Sequence, residues 1–319
     1  MAGHFLRQNG ATGFGSSSSA EAVAASYDGA GKTVIVTGCS GGLGLESVRV
    51  LAARGAEVIM AVRDVKGVTI TAEKLRAELP GAKISIMSLD LASLTSVREF
   101  AAAFLATGKP LNVLLQNAGV MFNPFTLSAD GHEMQFATNH LGHFLLTHLL
   151  LEHMLATAQS SGVQGRIVTV SSLAHCLYEY PGGVKFDTLD LPEGYDMEKA
   201  YGQSKLCNVL FTRELNQRLQ GRPVAAVCCH PGVILTNLAR HIEAGPMARA
   251  WGVAKVLCKP LFKSIPQGAA TQVYLATSPR VEGGEYYYDV NIRPSSRLAH
   301  DRRLGKKLWE FSEKLTGLE

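Results

Sequence analysis

The sequence predicts one doubly wound α/β domain, a parallel sheet of about seven strands with helices on both faces. Three observations carry that expectation. Apolar runs of strand length recur along the chain and alternate with helical periodicity, as strands buried on both faces require. The first run, Thr33 to Val36, feeds directly into the glycine-rich turn Thr37-Gly38-Cys39-Ser40-Gly41-Gly42-Leu43-Gly44 and then into a helix. Beyond the fifth run, Tyr201 and Lys205 stand four positions apart, which on a helix places a phenol beside an ammonium.

Composition narrows the class. With 319 residues, 46% hydrophobic and 18% charged, the chain is globular rather than disordered. Its net charge of +4 is mild and dispersed, which argues against a nucleic-acid partner. No stretch stays apolar for the length of a membrane span; the richest, Leu141 to Leu155, is broken by His143, His148, Glu152 and His153. A soluble protein is expected. The six cysteines (Cys39, Cys176, Cys207, Cys228, Cys229 and Cys258) include no C-x-x-C and follow no secretory signal, so free thiols in a reducing compartment are expected.

Residues 1–19 are rich in Gly and Ser and read as a flexible tail, with a targeting extension as the alternative. Ser19 caps a short helix that completes an arm of residues 1–29; the domain proper spans 30–319. At the glycine-rich turn, backbone N–H groups and a positive helix end converge on one point, ready for a pyrophosphate. Gly38, Ser40, Gly42, Leu43 and Gly44 are therefore candidate dinucleotide contacts. The second strand, Glu57 to Val62, ends in Arg63-Asp64. An acid at this point binds the ribose hydroxyls of NAD, whereas an Arg pairs with the 2′-phosphate of NADP. Arg63 comes first, so NADP(H) is preferred over NAD(H).

A third strand, Lys83 to Leu89, closes on Asp90-Leu91, where Asp90 contacts the adenine, caps the next helix, or does both, the cap being equally open to Ser93 and Thr95. The fourth, Leu111 to Leu115, leads to Gln116-Asn117-Ala118-Gly119, whose small residues let the chain pass close to a cofactor. Glu133 to Leu155 reads as one long helix. No carboxylate or Cys completes a ligand set with its four histidines, so no metal is expected and they are assigned to packing and solvent positions. Asn139, a polar amide within that apolar helix, needs a partner if buried.

The fifth strand, Arg166 to Val170, delivers Ser171-Ser172 to the carboxyl edge of the sheet, where ligands sit. A loop-like stretch, about 173–196, precedes the Tyr201 helix, and a sixth strand, Val224 to Cys229, closes on His230-Pro231-Gly232. Residues from about 235 to 265 form either a lid over a lipophilic pocket or a packed helix pair. A helix from Gln267 and a last strand, Gly284 to Val290, complete the sheet. Arg302 to Leu315 is a basic amphipathic helix, open to two readings: docking on its own core, or meeting a partner such as calmodulin or a membrane surface.

Thr37 to Gly44, Asn117-Ala118-Gly119, Asn139, Ser172, Tyr201 with Lys205, and Pro231-Gly232, in this order, resemble the short-chain dehydrogenase/reductase family over about residues 30–315. That resemblance implies a Rossmann-type sheet. Phe136 to Phe144 and Arg166 to His175 are similar to its retinol dehydrogenase and WW-domain oxidoreductase branch. Ala200 to Asn208 and Gly13 to Val23 resemble a plant-type branch of the chloroplast inner envelope, associated with the protein-import translocon. The resemblance implies that Tyr201 is the general acid and base, that Lys205 lowers its pKa and holds the nicotinamide ribose, and that Ser172 binds the substrate oxygen. It further implies that Asn139 continues a proton relay through water, and that Asp90, Leu91, Asn117, Ala118, Gly119, Pro231 and Gly232 join the glycine-rich turn in binding the cofactor. Three departures stand out: Gln116 where many members have Asn, Gly41 in place of a common Ser, and roughly 28 residues between Ser172 and Tyr201.

Two functions are then expected. The first is an NADP-dependent oxidoreductase acting on a small lipophilic carbonyl or alcohol; the alternative is an NADPH-sensing regulatory subunit of a membrane protein-import complex, with calmodulin or that complex meeting the C-terminal helix. The resemblance also implies homodimer pairing through the helices bearing Asn139 and Tyr201. It places the protein in the chloroplast, soluble or peripheral to the inner envelope, with the cytoplasm as the alternative.

Overall fold

The computed structural model describes residues 10–234 and 262–318. Eight strands form one sheet in the order β3-β2-β1-β4-β5-β6-β7-β8. They are β1 Thr33–Thr37, β2 Glu57–Val62, β3 Ile84–Ser88, β4 Val113–Gln116, β5 Gly165–Val170, β6 Val224–His230, β7 Tyr286–Tyr288 and β8 Asn291–Ile292. The first seven run parallel and β8 returns antiparallel to β7. The stretch expected as one last strand is split because Asp289 and Val290 adopt φ of 52° and 65°, which turns the chain back on itself.

The helices are α1 Ala20–Val23, α2 Gly42–Ala53, α3 Val65–Glu78, α4 Leu94–Ala106, α5 Met134–Phe136, α6 Gly142–Ser161, α7 Ala174–Leu177, α8 Met197–Arg218, α9 Ile265–Thr277 and α10 Arg302–Thr316. The sheet is covered on both faces because its strands are apolar on both. Val34, Val36, Met60 and Val168 pack with Val48, Leu51 and Val273 from α2 and α9; Ile35, Ile59, Leu114 and Ile167 pack with Phe104, Leu150 and Phe211 from α4, α6 and α8. Strand order reverses between β1 and β4, and this switch point opens a crevice beyond their carboxyl ends.

Besides the split last strand, three elements differ from expectation. Residues 10–29 lie against the domain rather than forming a free arm: Ala20 and Ala24 are fully buried, Phe14 meets Tyr274 edge-on at 6.0 Å, and Thr12 N–H donates to Asn291 Oδ1. Ser19 does cap α1, accepting from Ala22 N–H. The long helix expected from Glu133 is interrupted by a π-helical turn, Ala137–Leu141, that carries Asn139. The stretch 173–196 is not all loop, since it contains α7. Asp90 does not cap α4; Ser93 does, accepting from Ser96 N–H, while Asp90 Oδ1 takes Ala92 N–H in a tight turn.

The basic helix α10 docks on the core. Trp309 stacks on Phe211 at 6.0 Å, meets Phe144 edge-on at 5.0 Å and lies under the Arg218 guanidinium, with Arg302, Arg303, Lys306 and Lys307 facing outward. It thus packs along α8 and reaches Phe144 of α6. The expected lid at about 235–265 lies outside the described residues except for its last few positions. Among the described residues no helix is long and apolar enough to cross a membrane.

Candidate active site

The crevice is floored by contacts too close for side chains. A Cβ on Gly38, which has φ of +64°, would stand 2.5 Å from Ala118 Cα, and one on Gly44 would stand 2.5 Å from Asn117 Nδ2. Asn117 Nδ2 donates to both Thr37 O and Gly38 O at 3.0 Å, so the loop after β4 is stitched to the turn after β1. Helices α3, α4, α8, α9 and α10 each begin with a side-chain cap, but α2 begins at Gly41 with none. Its first-turn N–H groups are left for an anionic ligand. Ser40 is exposed at that turn. The residues present therefore fit a dinucleotide pyrophosphate.

At the end of β2, Arg63 and Asp64 are both exposed, and Asp64 caps α3, its Oδ1 accepting from Gly67 N–H at 2.9 Å. Leu91 is buried beside Asp90, and Gly232, with φ of +99°, packs its backbone against the Lys263 side chain after Pro231.

Helix α8 starts where Asp196 accepts from Glu198 and Lys199 N–H groups. One turn in, Tyr201 is 4% exposed, and Lys205 Nζ lies 5.7 Å from its ring centroid. The Lys205 ammonium donates to Val170 O at 3.0 Å, and Ser171 Oγ donates to Lys205 O at 2.8 Å, fixing α8 to the end of β5. An ammonium has three donors. Its remaining capacity faces Gly119, where any Cβ would stand 3.3 Å from Nζ. Burial pushes the Tyr201 phenol up to about 12, outweighing its hydrogen bond with Ser172, and burial likewise pulls Lys205 down to about 8. The phenol is thus held protonated and adjacent to the Ser172 hydroxyl.

Asn139 meets the requirement for buried partners in full. Its Oδ1 accepts from Val120 N–H at 2.7 Å, and its Nδ2 donates to Val120 O and Ser204 Oγ, both at 2.9 Å. The amide therefore clamps the loop after β4 to α8, and only its main-chain carbonyl is turned to other work. That carbonyl accepts from His143 Nδ1–H at 3.1 Å, which leaves His143 Nε2 to accept from Thr37 Oγ1 at 2.9 Å; Thr37 in turn accepts from Ala118 N–H. A chain of neutral hydrogen bonds thus joins the turn after β1 to the π turn.

Several of these groups escaped sequence reasoning. Ser204 lies inside the Tyr201 motif but showed no sign of being the anchor for Asn139. His143 read as a packing histidine, and only its four-residue spacing from Asn139 hinted at a link. Gln116, noted as a departure, donates to His143 O and accepts from Thr169 Oγ1, so its longer amide bridges β4, β5 and α6.

Gly202 follows Tyr201 for a steric reason. A Cβ there would sit 2.0 Å from Tyr178 O and 2.9 Å from Ala174 O, both backbone atoms of the segment after Ser172. Gly202→Ala is expected to destabilise the fold by about 1–3 kcal/mol, the usual cost of overpacking. A denaturant midpoint equal to that of the parent would contradict this close approach.

A model of the family described as short chain dehydrogenase matches residues 32–186. The chain is 48% identical to Short-chain dehydrogenase TIC 32 B, chloroplastic, from Brassica napus over 310 residues, covering 96% of this chain and 95% of that one. It is 40% identical to Retinol dehydrogenase 12 from Mus musculus over 291 residues, 91% of this chain and 87% of the relative. Among solved structures, an uncharacterized protein from Mycobacterium Paratuberculosis superposes with a TM-score of 0.70 at 36% identity, covering 92% of this chain and 97% of that one. The fold is shared also by the Pseudomonas aeruginosa RhlG/NADP active-site complex, with a TM-score of 0.62 at 23% identity, over 81% and 94% of the two chains.

Proposed function

Because this chain belongs to the short-chain dehydrogenase/reductase family and is an oxidoreductase of it, we propose that it transfers hydride between NADP(H) and a small lipophilic carbonyl or alcohol. The observation that carries this reading is the protonated Tyr201 phenol, hydrogen-bonded with Ser172, one helical turn from a buried ammonium at the edge of a glycine-floored crevice. When bound, the nicotinamide supplies or accepts the hydride. Ser172 donates to the carbonyl oxygen as negative charge grows there, and Tyr201 delivers its proton to the same oxygen. Lys205 holds a ribose hydroxyl and keeps positive charge beside the phenol, and Asn139 keeps the loop after β4 in register with α8.

Preference for NADP(H) rests on Arg63 and Ser40, since Asp64 spends its carboxylate on α3. A lipophilic substrate suits the exposed apolar rim: Leu173 and Leu177 follow Ser172, and Val233 follows Gly232. The reading as an NADPH-sensing subunit meets a physical obstacle in α10. Its apolar face is already occupied, so capture by calmodulin requires undocking Trp309, and an anionic partner meets only the outward basic edge. Likeness to a chloroplastic relative supports a chloroplast location.

The test is NADPH consumption against a panel of aldehydes and ketones; failure to reduce any of them overturns the assignment. Arg63→Ala should raise the Kd for NADPH roughly tenfold or more, the worth of a charge-assisted hydrogen bond, and leave NADH binding unchanged. Equal losses for both cofactors would remove Arg63 from the recognition of the phosphate.

A further inference from the structure

Phe122 follows the loop that binds Asn139, and it adopts φ of +54°, a left-handed backbone that bulky side chains rarely take. Glycine would occupy this turn without strain. Its ring is delivered to a specific place: edge-on to Tyr201 at 5.4 Å between centroids, and edge-on to Tyr178 at 6.0 Å. Phe122 is half-buried, so the aromatic corner it forms with Tyr201 and Tyr178 is not fully covered.

A buried polar device holds this turn. Phe122 N–H donates to Gln135 Oε1 at 2.8 Å, and Gln135, fully buried, donates through Nε2 to the Tyr195 hydroxyl and to Met197 O, both at 2.9 Å. The Tyr195 hydroxyl donates to Asn123 O at 2.8 Å, pinning the next residue as well. Glu133 completes the device by accepting from Gln135 N–H and Phe136 N–H. Tyr195 comes from the extended segment between Ser172 and Tyr201. Part of that added length thus serves to fix the turn that carries Phe122.

We propose that Phe122 is a specificity-determining residue that seats the apolar part of the substrate against Tyr201, and that Gln135 is the positioning residue that aims it. This rests on the carbonyl-reductase reading above. Phe122 is the wall against which an alkyl chain lies while its carbonyl oxygen reaches Ser172 and Tyr201. A short carbonyl compound, with no chain to lay on the ring, gains nothing from it.

The experiment compares decanal with propanal, using NADPH and the full chain. Phe122→Asn keeps a residue that tolerates the left-handed turn and removes the ring. It should lower kcat/KM for decanal about tenfold or more relative to propanal, chiefly through KM, so that the decanal-to-propanal ratio falls while NADPH still binds. Phe122→Tyr should restore the preference for decanal. Gln135→Met should reproduce the selective loss while its thermal midpoint is monitored. A decanal-to-propanal ratio unaltered in Phe122→Asn overturns the proposal even if Tyr201 proves essential. Calorimetric titration of NADPH-loaded Tyr201→Phe protein with decanal reads binding without turnover. Adding Phe122→Asn should weaken that binding about tenfold. Unaltered binding, or no decanal binding at all, overturns the proposal separately from any failure to find catalysis.

Discussion

Tyr201→Phe is expected to lower kcat for carbonyl reduction by about 10²–10⁴-fold, the span that a positioned general acid contributes. NADPH affinity should be retained. The substitution removes one oxygen from a side chain that is 4% exposed and leaves its ring where Phe122 meets it at 5.4 Å. Lys205 keeps its bond to Val170 O, and Asn139 keeps its bonds to Val120 and Ser204, so the crevice retains its shape. Ser172 can still donate to the growing oxyanion but cannot complete the reaction, because its hydroxyl is far too weak an acid to replace a phenol. Single-turnover measurements at saturating NADPH separate this loss from any change in binding. Undiminished turnover would remove Tyr201 from the chemistry.

Much of this site is readable in the sequence because its chemistry imposes local spacing. Gly38 and Gly44 are demanded by approaches of 2.5 Å, and Tyr201 with Lys205 by one turn of helix. The buried strands announce themselves as apolar runs because both sheet faces are covered. What escapes is set by contacts between distant segments. Asn139 reads as a polar residue in want of a partner, but nothing local names Val120 and Ser204, 19 and 65 positions away. The π turn has no spacing signature, since one extra residue in a turn leaves the apolar pattern almost unaltered. Phe122 is less legible still: its left-handed backbone is imposed by Gln135 and Tyr195 against the preference of its own side chain. The docking of residues 10–29 escapes for a related reason. Their Gly and Ser content suggests a tail, whereas Phe14, Ala20 and Val23 find a surface that α9, α2 and β8 provide.

Acidification between about pH 6.5 and pH 4 is expected to unfold the protein steeply, because three buried histidines must stay neutral in the fold. Burial pulls His140 and His230 down to about 3 and His143 down to about 4. Each therefore binds a proton more readily in the unfolded chain. Their stabilising contribution is complete above the unfolded value of roughly 6.5 and is lost as pH falls toward the folded values. Below pH 6 each contributes at most about 1.4 kcal/mol per pH unit, so the three together approach roughly 4 kcal/mol per unit. Glu133 acts in the opposite sense. Burial holds its carboxyl above the ordinary value, so its contribution is present at low pH and is lost as pH rises through the raised folded value. The net effect remains destabilising on acidification, because three groups oppose one. Against a total of about 5–15 kcal/mol for a typical domain, a fall of two pH units removes about 8 kcal/mol, enough to unfold a domain in the lower half of that range. Denaturant unfolding at a series of pH values reads the proton uptake as a slope, and His143→Gln should reduce that slope by one proton whatever it does to the absolute stability. Stability that stays level from pH 7 to 5 would contradict the buried, neutral state of these rings. Activity should fail on the same limb rather than later. His143 can bridge Asn139 O and Thr37 Oγ1 only with a proton on Nδ1 and a lone pair on Nε2, so its protonation removes the acceptor that ties the turn after β1 to the π turn beneath the active site.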